Sequence, residues 1–300
     1  MVSPFSIDNK AYRSCDGGIL RRLVFKIRRA CRMAYVFIVD PPCCSGVNGT
    51  VVVSLTSFPA RLDKVYLAIK SIMMQSVVPA EVHLWLGEDS CGTPLPKALV
   101  ELKDKGLEIH YEKGNLKGHK KYIYALSRNT GLPVVTIDDD CIYPSDTIAS
   151  LLEAHDRWPG SVAAIRARRI TFDEVDFKPY SDWESCYEED DPVPHRSLVA
   201  IGVGGVLYPP SCLPSIAFDE KRIIEAQAVE VDDLWLKIME TLAGINVVWA
   251  PSSLAHPYVI DSTQETALYS GNVEENNNDA AFARLVAQYN LGRFDFLDLE

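Results

Sequence analysis

Three features predict an α/β fold built on a mostly parallel sheet flanked by helices. From residue 50 onward strand-like and helix-like segments alternate, the strand segments are β-branched or apolar runs, and the fourth of them runs straight into three consecutive aspartates. Thr50 to Leu55 (TVVVSL) reads as the first strand, followed by a turn at Ser57-Phe58-Pro59 and a helical pattern from Leu62 to Gln75. Glu81 to Leu86 is a second strand, Lys97 to Lys105 a helix and Leu107 to Tyr111 a third strand. Gly118 to Arg128 is helical, and Pro133 to Ile137 is the fourth strand. Repeats of this length build a parallel sheet with right-handed crossovers, and ligands of such sheets bind at the carboxyl ends of the strands.

Beyond the aspartates a helix is expected over about Asp146 to Trp158 and a strand over Val162 to Ile170. Phe172 to Pro194 is acidic, aromatic and aperiodic, which suggests an active-site loop or lid. Its Tyr180, Trp183 and Tyr187 could stack on a ligand or pack the loop onto the core. Ser197 to Tyr208 is apolar and glycine-rich, Val231 to Leu242 reads as a helix and Ile245 to Trp249 as a last strand. No internal repeat or low-complexity tract stands out beyond Asn276-Asn277-Asn278.

The chain has 300 residues, 47% hydrophobic and 24% charged, which excludes a disordered, collagen-like or disulfide-stapled protein. Its formal charge of −11 argues against nucleic acid as a partner. The charge is unevenly spread. Residues 1–49 carry eight bases and three acids, a balance of +5 that leaves −16 on the rest. Between residues 19 and 39, Leu20, Leu23, Val24, Ile27, Cys31, Ala34, Tyr35 and Ile38 recur at helical spacing. Arg21, Arg22, Lys26, Arg28, Arg29 and Arg32 fill the gaps. Such a basic amphipathic helix is too charged to cross a membrane and lacks the pattern of a secretory signal. It can lie on an anionic membrane surface, or pack on the catalytic domain with its charges in water.

Pro41-Pro42 to Asn48-Gly49 reads as a linker, so the expected division is a basic N-terminal helix and linker (1–49) followed by one catalytic domain (50–300). The eight cysteines form no CxxC pair and no zinc spacing, as expected of reduced thiols in a cytoplasmic protein, peripheral on the membrane face if the helix binds lipid. Cys43-Cys44 reads as linker residues, with lipidation the alternative.

The strongest chemical signal is Asp138-Asp139-Asp140. Three carboxylates at the end of a buried strand repel one another and raise one another's pKa unless a cation neutralises them. A hard divalent ion, Mn²⁺ or Mg²⁺, would suit them and could in turn hold a diphosphate. A helix N-terminus rich in aspartate is the alternative. Asp232-Asp233 opens a helix, where either could cap backbone N–H groups. Gly202-Val203-Gly204-Gly205 permits close backbone approach to a ligand. It is not a dinucleotide fingerprint, because Leu207 stands where a third glycine is required.

In their order along the chain, Ser54-Leu55-Thr56-Ser57, Gln75 to Pro79, Asp138 to Pro144, Gly202 to Pro210 and Asp232 to Lys237 resemble the GT-A glycosyltransferases. The nearer likeness is to bacterial enzymes that build capsular or lipopolysaccharide glycans, and it covers about residues 50–290. The resemblance implies a Rossmann-like GT-A fold and transfer of a sugar from a nucleotide-diphosphate donor to a glycan or lipid-linked acceptor in surface polysaccharide synthesis. It makes Asp138 and Asp140 metal carboxylates and gives Asp138 and Asp139 contacts to the donor. Thr56, Arg61, Lys120 and Lys121 become nucleotide or phosphate contacts, and Gly204 and Gly205 line the sugar. Asp233, with Asp232 beside it, becomes the general base of an inverting reaction. Asp-Asp stands where the family usually has Glu-Asp. Ala255-His256-Pro257 resembles the C-terminal motif whose histidine completes the metal shell. A retaining transferase, a sugar-nucleotide nucleotidyltransferase and a membrane-docked binding module remain alternatives. The nucleotidyltransferase is disfavoured by the lack of a glycine-rich basic loop after the first strand.

Overall fold

The computed structural model describes residues 19–44, 49–114, 116–128, 130–186, 192–253, 257–260 and 277–298. Its centre is a seven-stranded sheet in the order β11-β6-β10-β4-β1-β2-β3. These strands are β1 (Val52–Ser57), β2 (Glu81–Leu86), β3 (Leu107–Tyr111), β4 (Val134–Ile137), β6 (Val162–Ala164), β10 (Val206–Tyr208) and β11 (Val247–Trp249). All pairings are parallel except those of β10, which runs against both β4 and β6. The mostly parallel, Rossmann-like α/β sheet flanked by helices is therefore the fold of the chain. All four β4 residues are buried, as expected of a central strand covered on both faces.

One face of the sheet packs on α2 (Val65–Met73), α3 (Lys97–Lys103) and α5 (Thr147–Arg157). Val53, Leu55, Val82, Leu84, Val135 and Ile137 meet Ile69, Ile72, Leu102, Ile148 and Leu151 there. The other face carries α4 (Lys120–Ser127), the short α6 (Glu220–Glu225), α7 (Asp232–Ala243) and α8 (Asn277–Gln288). Tyr122, Trp235, Met239, Phe282 and Leu285 pack there against Val162, Val206 and Val247. Gly244 ends α7 at φ +70, a left-handed cap that glycine adopts without a Cβ penalty.

The segment Val162 to Ile170, expected as one strand, is two. After β6 the chain breaks at Ile165-Arg166 and continues as β7 (Ala167–Arg169), which leaves the central sheet to pair with β8 (Glu184–Cys186) and β9 (Leu198–Ala200). The loop from Phe172 is therefore partly structured. Trp183, 4% exposed, meets Phe282 edge-on at 5.0 Å and donates to Lys178 O, so it packs the loop down. Arg168 lies over Tyr180, while Tyr187 falls outside the described residues.

The N-terminal helix α1 (Ile19–Ile38) lies against the body. Val36 is buried with Ala68, Ile142, Tyr258 and Ile260, around the small ladder of β5 (Cys141–Ile142) and β12 (Tyr258–Val259). Two of its bases have structural tasks: Arg29 donates to Val259 O, and Arg32 to Tyr143 O and Ser71 O. Cys44, expected in a linker, is 1% exposed in the α2–α3 core.

Candidate active site

Five pieces of chain converge at the carboxyl ends of β1 and β4: the exit of β1, the start of α4, the aspartates after β4, the turn before β10, and the start of α7. β10 is antiparallel, so its amino end, with the turn Gly202–Gly204 before it, lies beside the carboxyl end of β4. Asp138 is seated first. Its N–H donates to Tyr143 Oη at 2.8 Å, and that hydroxyl donates to Val203 O at 3.2 Å, tying the aspartates to the β10 turn.

The three consecutive aspartates have separate surroundings. Asp139 accepts from Ser57 Oγ and from Arg61 Nη1, both at 2.6 Å, and its side chain is 7% exposed. Asp140 lies 3.2 Å from the same guanidinium and accepts from the Cys141 thiol. Asp138, the most open at 31%, accepts from Lys121 Nζ at 2.8 Å. The Lys121 ammonium also lies 3.1 Å from Asp232 Oδ2, so it bridges the two acidic motifs. Asp233 takes the Gly202 N–H on both oxygens at 3.2 and 3.3 Å.

Helix capping does not account for the second pair. Asp219 caps α6 by accepting from Arg222 N–H, whereas the N-cap of α7 is Val231 and the Asp233 carboxylate reaches across to another element. The fit is tight: a Cβ on Gly118 would stand 2.5 Å from Asp232 Oδ2, and one on Gly202 2.9 Å from Lys121 Nζ and 3.2 Å from Asp233 Oδ1.

Crowding sets the protonation of these groups. Burial, then Asp232 and Asp138, push the Asp233 carboxyl up to about 8. Burial and Asp138 raise Asp140 to about 6. Burial also raises Asp139, against the pull of Arg61 and Ser57. At Asp232 burial is outweighed by Lys121 and His119, which hold it below the usual carboxylate range. His119 is itself buried, between Tyr122 Oη and Ala228 O at 2.9 Å each. The neighbouring acids outweigh burial at Lys121 and keep it protonated.

The remaining expected residues are placed as follows. Lys120 is 2% exposed near Gly87 and Asp89, with burial lowering its pKa. The Thr56 hydroxyl donates to Trp85 O at 2.8 Å, within the sheet. Arg61 is buried on Asp139 and Asp140 and stacked over Phe58, not displayed outward as an open phosphate fork. Gly204 and Gly205 do not face the acids. A Cβ on Gly204 would strike Arg166, and Gly205, at φ +96, backs onto Thr147, Leu151 and Ile137. Of the glycines in this turn, Gly202 is the one that touches the site. His256 lies outside the described residues. Ser57, Gly118, His119 and Tyr143 are site neighbours that the sequence reading did not assign. Ser57 and Tyr143 sat inside quoted motifs, and only their hydrogen bonds reveal their tasks.

Oxygen donors of this kind suit Mg²⁺ or Mn²⁺, which such sites hold with one or two carboxylates and complete with water and substrate phosphate. Among the described residues, three ligand atoms within 4.8 Å of one another are gathered elsewhere, at His83, Glu108 and His110. The aspartates after β4 are not gathered into such a set: Asp138 lies on Lys121, and Asp139 and Asp140 on Arg61.

No protein-family model matches the chain, and no curated protein matches it. Among solved structures, a mannosyltransferase, PcManGT from Pyrobaculum calidifontis in complex with GDP-Man and Mn²⁺, is similar at 14% identity and a TM-score of 0.49, covering 89% of this chain and 72% of that one. CMP:2-keto-3-deoxy-manno-octonic acid synthetase complexed with CTP is similar at 12% identity and a TM-score of 0.44, over 75% of this chain and 100% of its own. The 1–349 portion of S. aureus TarS is similar at 15% and 0.43, over 80% of this chain and 71% of its own. Residue roles therefore rest on the geometry of this chain alone.

Proposed function

We propose that the protein is an inverting, metal-dependent glycosyltransferase that moves a sugar from a nucleotide-diphosphate donor to a glycan or lipid-linked acceptor in surface polysaccharide synthesis. One observation carries this reading: two acidic motifs from distant parts of the chain meet across the Lys121 ammonium at the carboxyl ends of the strands, where parallel sheets bind ligands. In this reading Asp138 and Asp140 hold Mn²⁺ or Mg²⁺, with His256 completing the shell. When bound, the ion would neutralise charge developing on the leaving diphosphate. Asp233 takes the proton of the acceptor hydroxyl; with its carboxyl pushed up to about 8, it is a strong enough base for that step and works best above neutral pH. Asp232, held ionised by Lys121, contributes to that rise. Lys120, Thr56 and the backbone of Gly202 border the donor, and Asp139 acts through Arg61 to fix the loop after β1.

The test is transfer and hydrolysis on a panel of UDP-, GDP-, CMP- and dTDP-sugars with Mn²⁺ or with EDTA. We expect one nucleotide class to be turned over only with metal, and Asp138→Asn to lose metal-dependent donor binding. Binding of no nucleotide sugar under either condition removes the transferase reading.

The acceptor side of the proposal draws on α1. Lys26 and Arg28 are exposed on the helix that also exposes Leu23 (52%), Ile27 (52%) and, near its end, Phe37 (64%). Bases flanking apolar side chains fit an anionic lipid surface, where each contributes about 1 kcal/mol. Among the described residues no helix is long and apolar enough to cross a membrane. Flotation with vesicles containing anionic lipid should carry the protein, and Lys26→Glu with Arg28→Glu should abolish it. Equal recovery of the double variant would refute the lipid contact.

A further inference from the structure

A second cluster of metal-type ligands lies on the same sheet, away from the carboxylates. β2 and β3 pair in register, with His83 opposite Glu108 and Trp85 opposite His110. Side chains alternate along a strand, so Glu81, His83 and Trp85 share one face with Glu108 and His110. His83 Nδ1 lies 2.9 Å from His110 Nε2, and each of these nitrogens lies 3.6 Å from Glu108 Oε2. A circle through three atoms so spaced has a radius of about 2.0 Å, the length of a zinc–imidazole bond. As placed, the two nitrogens hydrogen-bond to each other, so an ion near the centre of that triangle would reach all three ligands once the imidazoles turn from that bond towards it, with no movement of the backbone required.

The surroundings supply an independent sign. The other nitrogen of His83, Nε2, lies 2.8 Å from Glu81 Oε2. A carboxylate behind a ligating imidazole fixes its tautomer and aims its free lone pair, which is the usual outer support of metal-bound histidine. His110 is stacked on Trp85 at 4.2 Å and 20°, and Trp85 is held by its Nε1–H donating to Ser54 Oγ at 2.9 Å. The His83 side chain is fully buried, while Glu108 is 49% exposed, so one side is rigid and the other is open to an ion and to water. Arg128 lies 3.8 Å from Glu81 and 4.0 Å from Glu108, a counter-charge to the carboxylates at the rim.

We propose that His83, Glu108 and His110 form a second metal site, for a zinc-type transition ion, with solvent as the fourth ligand. Two imidazoles and one carboxylate select Zn²⁺, Co²⁺ or Ni²⁺ over the hard ions suited to Asp138 and Asp140. The ion joins the edge strand β3 to β2, and the site stands whether or not the chain transfers sugars.

The experiment uses the full chain under reducing conditions, with Co²⁺ as a visible-absorbing probe and Zn²⁺ as competitor. One Co²⁺ should bind with the strong d–d bands of a low-coordinate site, be displaced by Zn²⁺ and not by Mg²⁺, and raise Tm. Because His83 is fully buried, the variants are placed at its more open partners. His110→Ala and Glu108→Gln should each weaken binding by about tenfold or more, at least the loss seen when only an outer support is removed. Arg128→Ala should tighten binding by withdrawing the competing cation, an effect a purely structural cluster would not show. Asp138→Asn should leave the bands and the affinity unchanged. Wild-type affinity in both His110→Ala and Glu108→Gln, or loss of Co²⁺ binding in Asp138→Asn, overturns the proposal.

Discussion

The two halves of the acidic site use similar residues for different ends. On the β1 side, Arg61, Ser57 and Asp139 form a closed set: the guanidinium lies 2.6 Å from Asp139, with Asp140 at its edge at 3.2 Å, and the Arg61 and Asp139 side chains are 9% and 7% exposed. On the α7 side, Lys121, Asp138, Asp232 and Asp233 form an open set around a single ammonium, with Asp138 at 31% and Asp232 at 21% exposure. A guanidinium buried on a carboxylate holds a loop in place, whereas a part-exposed point charge shared between carboxylates can be displaced by a substrate or an ion. The difference separates consecutive residues: Asp138 is part-exposed on the Lys121 ammonium, and Asp139 is buried on the Arg61 guanidinium.

The largest test of that division is Asp233→Asn, which should keep the fold and donor binding while lowering transfer by about 10²- to 10⁴-fold, the usual contribution of a general base. Full transfer activity would place the base elsewhere. The same variant carries a pH signature. An acid whose folded pKa is raised stabilises the protein while it is protonated, and that contribution fades as pH rises from about 4 through the folded value of about 8. The metal-free protein should therefore lose stability over this window, and Asp233→Asn should lose less.

On the closed side, Arg61→Met leaves Asp139 buried without its guanidinium. Urea unfolding should show a loss of about 3–5 kcal/mol, the cost of removing one partner of a buried pair. A loss within about 0.5 kcal/mol, the range of an ordinary surface change, would contradict the scaffold role.

The smallest effects separate the glycines. A Cβ on Gly204 would lie 2.8 Å from Arg166 Cβ and 3.0 Å from its backbone nitrogen, so Gly204→Ala should destabilise by about 1–3 kcal/mol through overpacking. A Cβ on Gly202 meets the flexible end of Lys121. Gly202→Ala should therefore leave Tm nearly unchanged and reduce kcat, because it displaces the ammonium and Asp233. The reverse pattern would return Gly204 to the site.

Much of the fold was legible from local pattern. The strands Glu81–Leu86 and Leu107–Tyr111 have the bounds their apolar runs suggest, and α1, α2, α4, α5 and α7 start and stop within a few residues of their periodic segments. The exceptions depend on distant partners. β7 leaves the central sheet because Arg168 and Arg169 pair with Val199 and Leu198, a register no local pattern encodes. α8 was hidden behind its asparagines; its buried Ala281, Phe282 and Leu285 matter only once Trp183 and Phe177 are there to receive them.

The acidity examined first as a net charge resolves in the same way. The alternation of strands and helices, the aspartates at the end of β4 and the acidic start of α7 follow from local pattern, because periodicity and strand termini are local properties of the chain. Only the tertiary structure decided which acid has which cation: Arg61 on Asp139 and Asp140, Lys121 between Asp138 and Asp232, and the Gly202 N–H on Asp233. It also decided that Glu108, His83 and His110 converge on one face of an edge pair. The physical reason is range. Burial and Coulomb interactions act over a few ångströms in space, whatever the separation along the chain, so protonation and ligand geometry exist only after the sheet has closed.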